Sequence, residues 1–434
     1  MTPQSTFMIS APIRDDRLEP LKELLAGMNQ APGLADPQNP LLPYWQFNRL
    51  HVARFTILQA NTNEDIRAHG LLPGPWQPTL CFIGDIDGDT DLFLAELVIR
   101  AEPGLRKIFS HCSGFDASAP DLLAWLHRHS SKPDANYVNW RGRTVVQIRE
   151  EQALREALAR EVRREDTIYS ELNSRQIWWR LREFTRLECE QERLRLTPEV
   201  PTPAPWFIGN LLHAAAVPIA LLCLTPLLLL ASPFYFYHLR RLEASDPENT
   251  LRPEREHLQA LAVQEDIDVT NHFNVFGQVK PGRLRWFTIR TSLLLLDYAA
   301  RHIYHRGYLT RISTIHFARW VLLDNDRRVY FASNYDGSAE SYMDDFINKV
   351  AWGLNLVFSN GVGYPASRWL IKGGAQQEEK YKRTLRRNQL PSESWYKAYP
   401  GLTAVDLERN SRIRRVLECD NPSDEQLRDW LRIL

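Results

Sequence analysis

One stretch of this chain copies another, and that duplication constrains the architecture more than any single motif. Residues 80–118 fall without a gap on residues 329–367, at a constant offset of 249. Phe82, Asp87, Gly88, Gly104, Leu105, Phe109, Ser110, Gly114, Ala117 and Ser118 land on identical residues. Just upstream, Leu50-His51-Val52-Ala53-Arg54-Phe55 returns as Ile315-His316-Phe317-Ala318-Arg319-Trp320. A third pair, Gly142-Arg143-Thr144-Val145-Val146 and Gly401-Leu402-Thr403-Ala404-Val405, leads in each copy into an Arg/Glu-rich helical pattern. A repeat of this size is one supersecondary unit used twice.

In the first copy the pattern predicts a strand over 6–13 and a helix over 17–28, where Leu18, Leu21, Leu24, Leu25 and Met28 keep helical spacing. Strands over 50–58 and 79–86, a helix over 90–101 and a strand over 106–115 follow. The second copy repeats the order: a strand over 272–279, a Lys280-Pro281-Gly282 turn, a helix over 286–304, strands over 315–323 and 328–335, a helix over 340–352 and a strand over 354–362. Both read βαββαβ, the ferredoxin-like arrangement. Along 315–323 one strand face carries His316, Ala318, Trp320 and Leu322, and the other Phe317, Arg319, Val321 and Leu323. A sheet apolar on both faces must be covered on both. The helices of its own repeat cover one, and the twin sheet is the expected cover for the other.

The expected fold class is therefore α+β, with two ferredoxin-like repeats pairing as an intramolecular α+β barrel. In element order and duplication the chain resembles the dimeric α+β barrel superfamily over residues 5–160 and 270–420. Members with two repeats per chain include the dye-decolourising peroxidases and chlorite dismutases, both haem enzymes. The domain organisation reads as a first repeat (1–148), a charged helical linker (149–198), a hydrophobic membrane segment (199–239), a connector (240–269), and a second repeat with a C-terminal helical tail (270–434).

Between the copies, no Asp, Glu, Lys or Arg occurs from 200 to 239. In a chain that is 24% charged, a gap of that length marks a membrane segment rather than a core helix. Trp206 and the Phe234–Tyr237 cluster suit the headgroup interface. As one straight helix, residues 206–237 would reach roughly 48 Å, beyond a ~30 Å hydrocarbon core. Pro218, Pro226 and Pro233 interrupt the run, and a bend near Pro218 predicts a re-entrant hairpin. Arg193 and Arg195 precede the segment and Arg240 and Arg241 follow it, which keeps both flanks cytoplasmic. Sheets that cover each other must also share one side. The bilayer is thus the expected partner through 206–237, with the polar regions in the cytoplasm.

Basic and acidic residues balance at 53 each, leaving no electrostatic footprint for nucleic acid. The five cysteines are scattered without a CxxC, which argues against a structural metal site and a disulfide scaffold. Residues 1–16 lack the apolar core of a signal peptide. The candidate ligand-binding residues come from the repeated segments: His51 and Arg54, His316 and Arg319, Asp87 and Asp336. Positions i and i+3 of a strand point to opposite faces, so His and Arg are expected to serve different sides. Each mid-strand Arg needs a local carboxylate or an anionic ligand. Asp87-Gly88 and Asp336-Gly337 are expected to cap the helix that follows them.

Gly84-Asp85-Ile86-Asp87-Gly88 resembles the GxxDG of dye-decolourising peroxidases, where the Asp serves the distal side of the haem; the second copy has Ser333 in place of the first Gly. That resemblance implies haem as a cofactor and makes His302, His305 and His316 the axial-ligand candidates. No triad signature, phosphate-cradling glycine loop or HExxH accompanies them. Two functions are expected on this basis. One is a membrane-anchored tandem protein that binds a small apolar or anionic ligand, or recruits a protein partner, at the cytoplasmic face. The other is a haem-dependent peroxidase or oxygenase acting on a membrane-derived substrate.

Overall fold

The computed structural model describes residues 1–434 except 60, 119, 249, 305–308, 310 and 311. The first repeat runs β1 (Gln4–Pro12), α1 (Leu18–Ala26), a short ribbon of β2 (Asn29–Ala31) and β3 (Leu34–Ala35), β4 (Leu50–Leu58), α2 (Asn63–Ala68), β5 (Thr79–Asp87), α3 (Thr90–Phe109), α4 (Leu122–Arg128) and β6 (Ala135–Val138). Between the repeats lie α5 (Val145–Arg164), α6 (Asp166–Ser170), α7 (Ser174–Glu190), α8 (Ala204–Ser245) and α9 (Arg255–Ala262). The second repeat is β7 (Thr270–Gln278), α10 (Arg283–His302), β8 (Ile315–Leu323), β9 (Arg328–Asp336), α11 (Ala339–Phe358), the small hairpin β10 (Ser367–Arg368) and β11 (Lys372–Gly373), α12 (Glu378–Asn388) and β12 (Ser394–Lys397). Helices α13 (Ala404–Glu418) and α14 (Asp424–Ile433) close the chain.

The expected strands over 106–115 and 354–362 are not strands. Residues 106–109 and 354–358 continue α3 and α11 as helix. Each helix kinks at matching residues, Ala101 (φ −135°, ψ 18°) and Val350 (φ −140°, ψ 17°), and then resumes. Beyond the first kink, Gly104, Leu105, Ile108 and Phe109 are buried at helical spacing. The true last strands come later and are only four residues long.

Those strands are exchanged. The first sheet has the order β1-β5-β4-β12-β3-β2 and the second β6-β8-β9-β7. Strand β12 of the second repeat runs antiparallel to β4, with Ser394 opposite Phe55 and Lys397 opposite Val52. Strand β6 of the first repeat runs antiparallel to β8, with Ala135 opposite Trp320 and Val138 opposite Phe317. On its way across, each segment touches the edge of its own sheet. The Ser131 N–H donates to Met8 O at 2.9 Å, and the Leu390 N–H donates to Asn274 O at 2.9 Å. Between the sheets, Met8, Leu58, Cys81 and Ile83 pack with Phe276, Val321, Tyr330 and Ala332. The molecule is thus an α+β protein with a mixed six-stranded and an antiparallel four-stranded sheet, each taking a strand from the other repeat.

Helices cover the outer faces. Leu21 and Leu25 of α1 and Phe93 and Leu97 of α3 pack on Ile9, Phe55 and Phe82; Ile289 and Leu293 of α10 and Tyr342 and Phe346 of α11 pack on Ala318 and Phe331. The charged helical linker is three helices, α5 to α7. It joins the C-terminal tail in a third core of Leu154, Leu158, Trp178, Leu181, Ile413, Leu427 and Trp430. The duplicated tail shows in the capping: Thr144 and Thr403 each build a capping box, with Gln147 and Asp406.

Helix α8 is long and apolar enough to cross a membrane, and its most apolar stretch is wholly exposed. The hairpin expected near Pro218 does not form. Pro218, Pro226 and Pro233 all lie inside one continuous helix of 42 residues, roughly 63 Å long. Proline interrupts single hydrogen bonds, and the flanking Leu- and Ala-rich turns keep the helix going. Near its start, His213 Nδ1 lies 2.8 Å from His302 Nε2 of α10, and Tyr298 Oη donates to Ala214 O at 3.2 Å. Near its end, Tyr235 Oη meets Thr288 Oγ1 at 2.9 Å, and Leu239 and Glu243 are buried.

Candidate functional site

The repeated His and Arg both lie in the seam between the sheets. Pairing of β4 with β5 shifts register between Leu50 and Val52, and pairing of β8 with β9 shifts between Ile315 and Phe317, so each histidine is the extra residue of a bulge. A bulge interrupts the alternation, which is why His and Arg do not part to opposite faces as expected. The His51 ring lies 5.5 Å from the ring of Phe317 in the opposing sheet. Its Nε2 is 2.9 Å from Asp87 Oδ1, and its Nδ1 is 3.2 Å from Tyr399 Oη. The second copy repeats the pair, with His316 Nε2 2.7 Å from Asp336 Oδ1.

The second oxygen of each aspartate takes a helix N–H. Asp87 Oδ2 accepts from Val145 N at 2.9 Å, and Asp336 Oδ2 from Ala404 N at 2.7 Å. Both aspartates therefore hold the first turn of a tail helix, α5 or α13. The expectation that they cap the next helix is corrected, because Asp89 and Ser338 cap α3 and α11. Burial pushes the Asp336 carboxyl up. The charge and hydrogen bond of His316, with Thr270 and the Ala404 N–H, outweigh this and hold it below the usual carboxylate range.

The arginines show where the copies diverge. Arg54 and Arg319 are both completely buried. Arg319 Nη2 donates to the Asp85 carboxylate and its Nη1 to Asn334 Oδ1 at 3.2 Å. Arg54 meets only neutral acceptors: Asn274 Oδ1 at 2.9 Å, Phe273 O at 3.2 Å and Ser333 O at 3.0 Å. The 249-residue offset puts Asn334 where the first copy has Asp85, so one acid serves two guanidinium groups. Burial, and then the charge of Arg319, lower the Arg54 pKa to about 10. Burial raises the Asp85 carboxyl, and Arg319 pulls it back. The cation expected to meet a ligand in the seam already has protein partners.

These surroundings do not fit a haem. His316 is 3% exposed and walled by Thr270, Asp336 and the Tyr399 ring, so a flat macrocycle would have to part the sheets. His302 sits at the end of α10 against His213. His305 lies outside the described residues.

What the sequence did not reveal is an apolar cavity of about 280 Å³ between α10 and α11. Leu295, Leu296 and Ala299 of α10, Trp320 of β8, and Phe346 and Leu354 of α11 form its walls, and among the described residues no charged side chain lines it. In the first repeat the chain packs down on Gly104, where an added Cβ would stand 1.8 Å from Leu41 O, and Leu42, Tyr44 and Phe47 behind it are fully buried. At the matching Gly353, which borders the cavity, the nearest described atom is Val350 Cγ1 of the same helix at 3.1 Å.

No family model, no curated protein and no solved structure matches this chain.

Proposed function

We propose that this chain is a membrane-anchored binding protein, built as an intramolecular α+β barrel, that holds an apolar molecule drawn from the bilayer in the α10–α11 cavity. The observation that carries the reading is the cavity, whose described lining is apolar, on the same helix, α10, that apolar α8 packs along. At about 30 Å³ per methylene-sized group, about 280 Å³ accommodates a segment of roughly ten such groups. That is acyl-chain or isoprenoid chemistry, with Leu, Phe and Trp walls supplying burial and no fixed charge among the described lining residues to reject it.

Membrane placement follows from the contacts of α8. Both ends meet the second repeat, and the second repeat is tied to the first by the exchanged strands, so both flanks belong on one side. Arginines at both flanks support the cytoplasm as that side. Helix α8 then lies along the body within one leaflet. The barrel reading rests on the two crossing segments, which run from the edge of one sheet to the edge of the other on opposite sides of the seam.

The test is lipid analysis of purified full-length protein exchanged into amphipol. Wild type should retain about one equivalent of a chain-bearing lipid, while Leu354→Trp, which fills the cavity, should retain none and melt at an unchanged temperature. Equal retention by both would overturn the assignment.

A further inference from the structure

The hairpin β10–β11 turns on two consecutive non-glycine residues in the left-handed region, Trp369 (φ 55°) and Leu370 (φ 60°). Tight hairpin turns demand that conformation and normally take Asn or Gly there, because a side chain is strained in it by about 1–3 kcal/mol per residue. Here the strain presents the tip outward: Trp369 is 47% and Ile371 43% exposed, beside exposed Arg368 and Lys372. The conformation is held from α8. Glu243, buried in the last turns of that helix, accepts the N–H groups of both Trp369 and Leu370 at 2.9 Å. It also accepts from Ser367 Oγ at 3.3 Å and is paired with Arg240. The Trp369 ring meets the Phe236 ring edge-on at 5.9 Å and lies 5.4 Å from the Arg240 guanidinium.

We propose that this hairpin is a second membrane contact, which inserts Trp369 and Ile371 into the leaflet that receives α8 and sets Arg368 and Lys372 on anionic phospholipid headgroups. The inference rests on the membrane reading of α8 and extends it to a named element and a lipid class. An aromatic and an aliphatic side chain at a tip flanked by two cations is the chemistry of the headgroup boundary. The surface is continuous with the apolar helix, since Phe236 contacts Trp369, and Tyr235 lies 6.4 Å from half-exposed Phe287. Glu243 couples the two elements, so that α8 and the hairpin tip approach the membrane as one rigid edge.

The experiment uses full-length protein reconstituted into phosphatidylcholine vesicles with and without phosphatidylglycerol. Trp369 is one of 13 tryptophans, so its emission is read as the difference between wild type and Trp369→Phe. In the anionic vesicles that difference should be quenched by lipids brominated on the acyl chain and spared by aqueous iodide. Glu243→Gln should reverse the pattern while the protein still floats with the vesicles, and Arg368→Glu/Lys372→Glu should abolish the preference for anionic vesicles. Quenching by iodide alone in the floating wild type would overturn the hairpin proposal and leave α8 in place. Failure of the wild type to float would instead overturn the membrane reading on which the proposal rests.

Discussion

Replacing Arg319 with methionine tests the one-acid, two-arginine arrangement of the seam. The substitution keeps most of the side-chain volume and removes the charge that answers Asp85, itself fully buried. In contact at about 4 Å and an effective dielectric of about 20, the lost attraction is roughly 4 kcal/mol. Breaking a buried pair from one side costs about 3–5 kcal/mol by the same logic. Arg54→Met is a different perturbation. It removes a donor from three neutral acceptors, Phe273 O, Ser333 O and Asn274 Oδ1, the last of which keeps the Tyr330 hydroxyl, but relieves the repulsion from Arg319. Its expected cost is about 1–3 kcal/mol, the penalty for unmet neutral hydrogen-bonding groups. The double variant Arg319→Met/Asp85→Leu, which removes both charges, should recover most of the loss. Chemical unfolding of the detergent-solubilised protein, followed by circular dichroism, ranks the variants. Equal losses in Arg54→Met and Arg319→Met, or a double variant no better than Arg319→Met, would refute the reasoning.

Other tests address separate parts of the molecule. Burial, and then Arg54, lower the pKa of His272 to about 3 against about 6.5 in the unfolded chain, so the unfolded state binds the extra proton. Its stabilising contribution is intact above about pH 6.5 and is lost as pH falls toward 3, at up to roughly 1.4 kcal/mol per pH unit; His272→Gln should flatten the acid limb of the stability curve by one proton. Gly104→Ala should cost about 1–3 kcal/mol or more, because its methyl group meets Leu41 O. An unchanged unfolding midpoint for Gly104→Ala would contradict that close packing. Tags at Met1 and Leu434 should both report the cytoplasm, and deleting 206–237 should release the chain from sedimented membranes; opposite sidedness of the tags would establish a single crossing.

Much of the fold was legible where residues repeat and alternate. The strands at 50–58 and 315–323 and the capped tail helices follow from local pattern, and the duplication identified the second sheet as cover for the first. Three things were not legible. The second halves of α3 and α11 resemble strands because Ile108-Phe109 and Val357-Phe358 are β-formers placed after a break, and tertiary packing overrides that preference. The bulges at His51 and His316 change which face each histidine takes, and no residue type announces a bulge. The exchange of β6 and β12 is a choice of partner across the whole chain, which four-residue strands cannot encode locally. For the candidate site, the repeated His, Arg and Asp were singled out as ligand-binding candidates, and the structure buries them against partners within the protein. The cavity is lined by apolar residues of α10, β8 and α11 that carry no motif, and a search for shared residues passes over it.

The exchanged strands also dictate an order of events during synthesis. The edge of β4 stays unpaired until Ser394–Lys397 has been made, long after α8 has emerged. At about 5–20 residues per second, that interval is on the order of tens of seconds. For that time the nascent chain carries an open, apolar sheet edge, the feature that drives strand-to-strand aggregation. On the proposed membrane reading, capture of α8 by the bilayer during the same interval would tether the unfinished first sheet at the membrane surface. There it would wait, at low encounter frequency with other nascent chains, for the one strand that completes it. A version of the protein divided between two genes would lose that protection, and neither half would possess a finished sheet.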